Sequence, residues 1–219
     1  YEVIYEEDTP LYAQLQAGEV AEDEDLACAM YEELVAGAVG AGFEQYEVAN
    51  FAKPGSAVAA EREWPGRACL HNINYWRGGT FVGVGPSACG FLNGERIQNH
   101  SNTQLYCDAL EAGRPVMRTL DRLSPVARAG EIAAFGLRMN AGWPFAEFRR
   151  ATGFDLQAGW GDDMRRLVEE GMGELNATGF RLTSDGLRFA DRAAGEFLRT
   201  DEVTVTSGQV PVEMNTKGS

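Results

Sequence analysis

Two histidines, four cysteines and one glycine-rich turn are the parts of this 219-residue sequence best suited to chemistry. His71 opens the run HNINYW at 71–76. A neutral imidazole can ligate a metal axially or carry a proton. Beside it, Asn72 can hydrogen-bond backbone in the same turn, and Tyr75 and Trp76 are amphipathic rings suited either to a core or to stacking on a flat ligand. The structural alternative for His71 is a ring that caps a turn and ties down a long loop. His100 lies outside any such run and reads as a surface or packing residue. At 83–89, GVGPSAC places Gly83, Gly85 and Pro86 where small residues let the backbone approach a nucleoside or a carboxylate. A plain tight turn carries the same signature. Glu47 and Asn50 close a β-type stretch, where they either face a sheet mouth that collects ligands or satisfy a strand-end hydrogen bond.

Cys28, Cys69, Cys89 and Cys107 are scattered, whereas zinc and iron–sulfur sites need ligands two to four residues apart. No cluster ligand set is encoded, and free thiols in a reducing compartment, the cytoplasm, are the simplest reading. No apolar run is long enough to cross a membrane, and the first residues lack the basic and apolar regions of a signal peptide. A net charge of −14 repels nucleic acid and anionic lipid at long range. Residues 1–120 hold 7 basic and 18 acidic side chains, against 11 and 12 in residues 121–200. That asymmetry favours two modules with different surfaces.

The elements that must position these residues follow from periodicity and turn signals. Residues 1–6 alternate bulky apolar and acidic side chains and predict a strand ended by Asp8, Thr9 and Pro10. Leu26, Met30, Leu34 and Val35 give one apolar face to a helix over 22–39, stopped by Gly40 and Gly42. Residues 43–51 return to β-type, so strand, helix and strand predict a crossover between parallel neighbours. Residues 53–68 form a long excursion, and 80–92 predict a short strand running into the glycine-rich turn. After Ser124 and Pro125, helices are predicted to about 137, over 144–152 and over 162–170. Two short β pieces about a turn and a helix capped by Ser184 follow, a winged-helix-like arrangement. The polar tail from 201 reads as poorly ordered. The near balance of charge over 121–200 argues against DNA binding there.

Taken together, QYEVANFAKPG at 45–55, HNINYW at 71–76, RGGTFVGVGPSA at 77–88 and RLTSDGL at 181–187 resemble the C-terminal half of the oxygen-independent coproporphyrinogen III oxidase family of radical SAM proteins. The best-matching branch is the HemW-like one. The resemblance implies the C-terminal part of a partial α/β barrel over 1–120, a small helical winged-helix-like domain over 121–200 and a flexible tail over 201–219. The start at Tyr1, inside an expected strand, reads as a cut through a longer chain, with the N-terminal barrel half as a missing partner.

The family uses S-adenosylmethionine and a [4Fe–4S] cluster held by a C-x3-C-x2-C loop, which these four cysteines do not supply. By resemblance, Ile4, Gly85 and Cys89 fall where the oxidase branch contacts S-adenosylmethionine. His71, Asn72, Tyr75 and Trp76 fall in a motif associated with haem or porphyrin substrate, with His71 as ligand to haem iron. Two departures stand out: an insertion between the KPG turn and HNINYW, and Cys89 where the HemW-like branch has a histidine. The functional expectations are oxidase-like radical chemistry in a longer chain, or haem binding and transfer to a haem-accepting protein without oxidase activity. A winged-helix interaction module is a third. Arg138, Arg149, Arg150, Arg165 and Arg166 read as solvated helix faces unless they meet porphyrin carboxylates.

Overall fold

The computed structural model describes residues 3–55 and 63–199. Its first half departs from the expected crossover. Residues 3–6 form no strand, and Val3 and Ile4 are 59% and 77% exposed. Alternation alone does not make a strand; a hydrogen-bonded neighbour does. Tyr1 and Glu2 lie outside the described residues. Helix α1 (Pro10–Gln16) starts where only a turn was expected, because the Thr9 hydroxyl accepts from the Tyr12 amide and Pro10 opens the first turn. Helix α2 (Glu24–Gly40) is capped by Asp23, whose carboxylate accepts from the Leu26 amide at 2.9 Å. Its expected apolar face exists but is uncovered: Leu26, Met30 and Leu34 are all exposed.

Residues 43–51, expected as one strand of a parallel sheet, divide instead into β1 (Glu44–Glu47) and β2 (Asn50–Ala52), paired antiparallel. The reason is local: the Glu47 carboxylate accepts from the Ala49 amide at 3.0 Å and folds the chain back. Helix α3 (Leu70–Trp76) contains the whole HNINYW run. The expected order of strand then turn is reversed. Phe81 makes only an isolated bridge to Phe91, and the regular strand β3 (Cys89–Leu92) follows the glycine-rich loop. With β4 (Glu95–Asn99) and β5 (Met117–Asp121) it forms an antiparallel sheet, helix α4 (Thr103–Glu111) lying between the last two in sequence.

In the second half, Ser124 caps α5 (Pro125–Leu137) as its sequence position dictates. Strand β6 (Trp143–Pro144), α6 (Phe145–Thr152) and α7 (Leu156–Glu169) follow. Helix α7 begins at Leu156 rather than 162 because Asp155 caps it at the Ala158 amide, and it kinks at Trp160. Strands β7 (Gly173–Leu175) and β8 (Gly179–Leu182) form a hairpin, with β6 adding to β8. Helix α8 (Ser184–Arg188) is capped by Thr183, not by Ser184, and α9 (Ala190–Gly195) ends the fold. Residues from 200 onward lie outside the described residues.

The fold is thus mixed α/β, and its larger core lies in the second half. Trp143, Phe148, Trp160, Phe180 and Phe197 pack there with Leu137, Leu156, Met164 and Leu167. Both indoles are satisfied, Trp143 Nε1 donating to Ala133 O at 3.0 Å and Trp160 Nε1 to Phe197 O at 2.8 Å. The smaller core joins Tyr46, Ala52, Ala68 and Ile73 to Met139, a residue of the second half. Backbone bonds stitch the same seam: the Val48 amide donates to Arg138 O and the Asn140 amide to Tyr46 O, each at 3.1 Å.

Candidate binding site

Helix α3 turns HNINYW into two faces. The inner face buries Ile73 and packs Trp76 against Tyr46, ring centroids 6.0 Å apart. The Tyr46 hydroxyl also accepts from the Cys69 amide at 3.1 Å at the helix N-terminus, where the Cys69 side chain itself makes no cap. The outer face carries His71 and Tyr75, four residues apart and hence one above the other. Their rings meet edge to face at 4.7 Å, and Tyr75 meets Phe81 in the same manner at 4.3 Å. The result is a row of three rings whose outer member is an exposed imidazole. Neither ring nitrogen of His71 has a hydrogen-bond partner among the described residues, which do not include 56–62 of the long loop; Asn74, donating to Thr80 O at 3.0 Å, closes the turn that follows the helix. Asn72 bonds no backbone among the described residues: its amide reaches Asn50 Oδ1 at 3.5 Å.

Glu47 and Asn50 take the strand-end role. Glu47 is 2% exposed; its carboxylate accepts from Ala49 N, from Asn50 Nδ2 at 2.7 Å and from Arg138 Nε at 2.9 Å. Arg138 is therefore no solvated helix arginine, since it bridges Glu47 and Asp191. Arg149 of α6 pairs with Asp155, the cap of α7; Arg165 and Arg166 pair with Asp162 and Asp163 of their own helix, and Arg166 also with Glu196.

The structure gives a role to the residue that opens the RGGTFVGVGPSA stretch, to which the sequence assigned none. Arg77, directly after α3, is 89% buried by side-chain area and reaches into the second half, donating from Nη1 to Gly142 O at 2.7 Å. Its guanidinium lies 4.4 Å from the Trp143 ring centroid and 5.8 Å from that of Trp64. Burial pulls its pKa down, against the pull of Glu147 and Glu63. Burial pushes the Glu63 carboxyl up in turn, while Arg77 opposes.

The glycine-rich loop is held from within. Asn99, 4% exposed, donates its amide to Gly83 O at 3.2 Å and Gly85 O at 2.8 Å, and the Gly85 amide donates to the Tyr106 hydroxyl at 3.3 Å. Gly85 has φ +100 and open space where a Cβ would project, so an uncrowded surface remains although its polar groups are engaged. Cys89 is exposed at the start of β3. Ile4, before α1, makes no hydrogen bond to this loop among the described residues, so the structure does not join it to Gly85 and Cys89. No three His, Cys, Asp or Glu side chains gather for a metal among the described residues. No helix among them is long and apolar enough to cross a membrane.

Comparison with known proteins agrees with this architecture. Residues 123–189 match the HemN C-terminal domain. The chain is 30% identical over 183 residues to the heme chaperone HemW of Mycobacterium tuberculosis, covering 81% of this chain and 44% of that protein. It is 31% identical over 205 residues to the mitochondrial radical S-adenosyl methionine domain-containing protein 1 of Bos taurus, covering 87% and 43%. For HemW of Bacillus subtilis the figures are 27% over 200 residues, 90% and 50%. The chain thus spans half or less of the length of these relatives. Coproporphyrinogen III oxidase (HemN) from Escherichia coli shares the fold with TM-score 0.54 and 13% identity, over 76% of this chain and 39% of that one. By its motifs, its fold and these relatives, the chain belongs to the HemN/HemW family of radical S-adenosylmethionine proteins and corresponds to that family's C-terminal portion.

Proposed function

We propose that this chain is the haem-holding portion of a HemW-type protein, with His71 as ligand to haem iron and Tyr75 and Phe81 as the wall beside it. Haem is cargo here, held for transfer to an accepting protein. The observation that carries the reading is the exposed imidazole at the end of a ring row, with no hydrogen-bond partner among the described residues. A neutral imidazole is a common axial ligand, and an aromatic wall removes one face of the macrocycle from water. The names of the relatives, heme chaperone among them, point the same way. Four free cysteines suit a reducing compartment such as the cytoplasm.

A second reading, oxidase-like chemistry on a porphyrin substrate by a longer chain, is favoured by the uncrowded loop at Gly85 and Cys89, where S-adenosylmethionine would lie by family resemblance. That cofactor would supply the radical; the loop residues would only bind and orient it. A [4Fe–4S] cluster does not fit the described residues, which gather no ligand set, and no step is derived through it. We infer that the partial barrel extends to about residue 120 and that 121–199 form a winged-helix-like domain. Support comes from the uncovered Leu26, Met30 and Leu34 face, which suits barrel neighbours, and from the order of helices and hairpin in the second half.

Titration of the purified chain with haem tests the proposal. A Soret shift that His71→Ala abolishes is expected; no shift, or one unchanged in His71→Ala, refutes the role of His71 and leaves the oxidase reading.

A further inference from the structure

We propose that Arg77 is the positioning residue for His71, pegging α3 to the second half so that the imidazole holds one orientation. This rests on the haem reading of His71 for its function, though not for its geometry. Among the described residues His71 has no polar tether of its own, and its ring touches Tyr75 of the same helix. The pose of the ring therefore follows the pose of the helix. At 1.5 Å rise per residue, His71 sits roughly 9 Å along the axis from Arg77, so a tilt of about 10° at the far end displaces it by about 1.5 Å. That exceeds the ~0.5 Å tolerance of a working ligand constellation.

What fixes the tilt is the guanidinium. Its Nη1 is bonded to Gly142 O at 2.7 Å, its Nε faces Glu147 Oε1 at 3.4 Å, and its plane lies over Trp143. All three partners belong to the second half. Just beyond, Gly78 has φ +75, and a Cβ there would come within 2.6 Å of Ile132, so the chain leaves α3 pressed directly on α5. Arg128 Nη2 donates to Gly78 O at 3.2 Å across the same seam.

The choice of residue is informative. Nε and Nη2 of Arg77 and Nε1 of Trp64 have no hydrogen-bond partner among the described residues. An incompletely paired buried charge is an expensive way to fill space, and an apolar side chain of like volume would be as stable or more so. A planar fork between a carbonyl, a carboxylate and an indole confers direction, which an apolar plug does not.

The two histidines make the test clean, because His100 serves as an internal reference in the same spectrum. In the haem-free full chain, Arg77→Met is expected to move or broaden the His71 ring resonance while leaving that of His100 in place. It should also weaken His71-dependent haem binding by roughly tenfold. Arg77→Lys, which keeps a charge for Gly142 O but loses the flat stack, should move the same line by less and bind haem at an intermediate level. Glu147→Gln, altering the partner in the other half, should act in the same direction. Should Arg77→Met fail to fold, Arg77→Lys and Glu147→Gln carry the test. A wild-type His71 line in any folded Arg77 variant overturns the proposal. If the wild type shows no His71-dependent Soret shift, the haem reading fails, whereas the resonance still decides the positioning role.

Discussion

Replacing Glu47 probes the seam on which the site depends. Its carboxylate receives three donors: Ala49 N at 3.0 Å, Asn50 Nδ2 at 2.7 Å and Arg138 Nε at 2.9 Å. Glu47→Ala strands all three. A buried donor left unmet costs about 1–3 kcal/mol. The Arg138 side chain is 27% exposed and Asn50 is half-buried, so water reaches both and each falls at the low end. A total of about 3 kcal/mol is expected. Glu47→Gln retains one acceptor but turns an amide NH2 towards a donor, for about 2 kcal/mol. Arg138→Met leaves a carboxylate that still has two donors, again about 2 kcal/mol once its partial exposure is discounted. The double-mutant cycle of Glu47→Ala and Arg138→Met should then show a coupling of about 1–2 kcal/mol. Urea unfolding followed by tryptophan fluorescence measures all four proteins. Glu47→Ala within about 0.5 kcal/mol of wild type, or a coupling near zero, would refute the reasoning that this pair locks the two halves.

Two further substitutions test other parts of the frame. Gly136 in α5 lies against the fully buried Trp143 indole, which a Cβ would overlap; Gly136→Ala should cost about 3 kcal/mol or prevent folding, and a wild-type melting temperature would contradict the packing. Asn99→Ala leaves the Gly83 and Gly85 carbonyls without their amide donor. About 1.4 kcal/mol of local stability should be lost, read as roughly tenfold faster amide exchange over 83–88, while uniform exchange across the chain would remove Asn99 from that role.

Helices α2 and α5 were legible because their signals are local: Asp23 and Ser124 cap the helices, and Pro125 opens the first turn of α5. The expected start of α7 at 162 falls six residues late, because Asp155 caps the helix at Leu156 and the chain stays helical through Gly159 and Gly161 apart from the kink at Trp160 between them. Residues 3–6 differ from the expected strand because alternation states only which side chains share a face, not whether a neighbouring strand exists. In the candidate site, His71 and Tyr75 were readable from a short motif. Arg77 and Arg138 were not, because their partners Gly142 and Glu47 lie 65 and 91 residues away in sequence. A lone arginine carries no sign of such a partner. Asn99 was silent for the same reason, holding a loop that precedes it by 14 and 16 residues.

The distribution of burial explains why the second half must govern α3. A seven-residue helix is too short to persist on propensity alone. It buries Ile73, and the small core that receives Ile73 is completed by Met139 from the second half. Among the described residues of the acidic first half, Tyr46, Ala52 and Ala68 meet Ile73, while α2 presents Leu26, Met30 and Leu34 outward rather than against the helix. The larger aromatic core, by contrast, includes Trp143, whose ring stacks on Arg77, and Ile132, against which Gly78 is pressed. Rigidity therefore flows from that core through Arg77 and Gly78 into α3, and from α3 to His71. The second half is thus the base on which α3 rests, and a ligand bound at His71 should stabilise the seam as well as the ring row it touches.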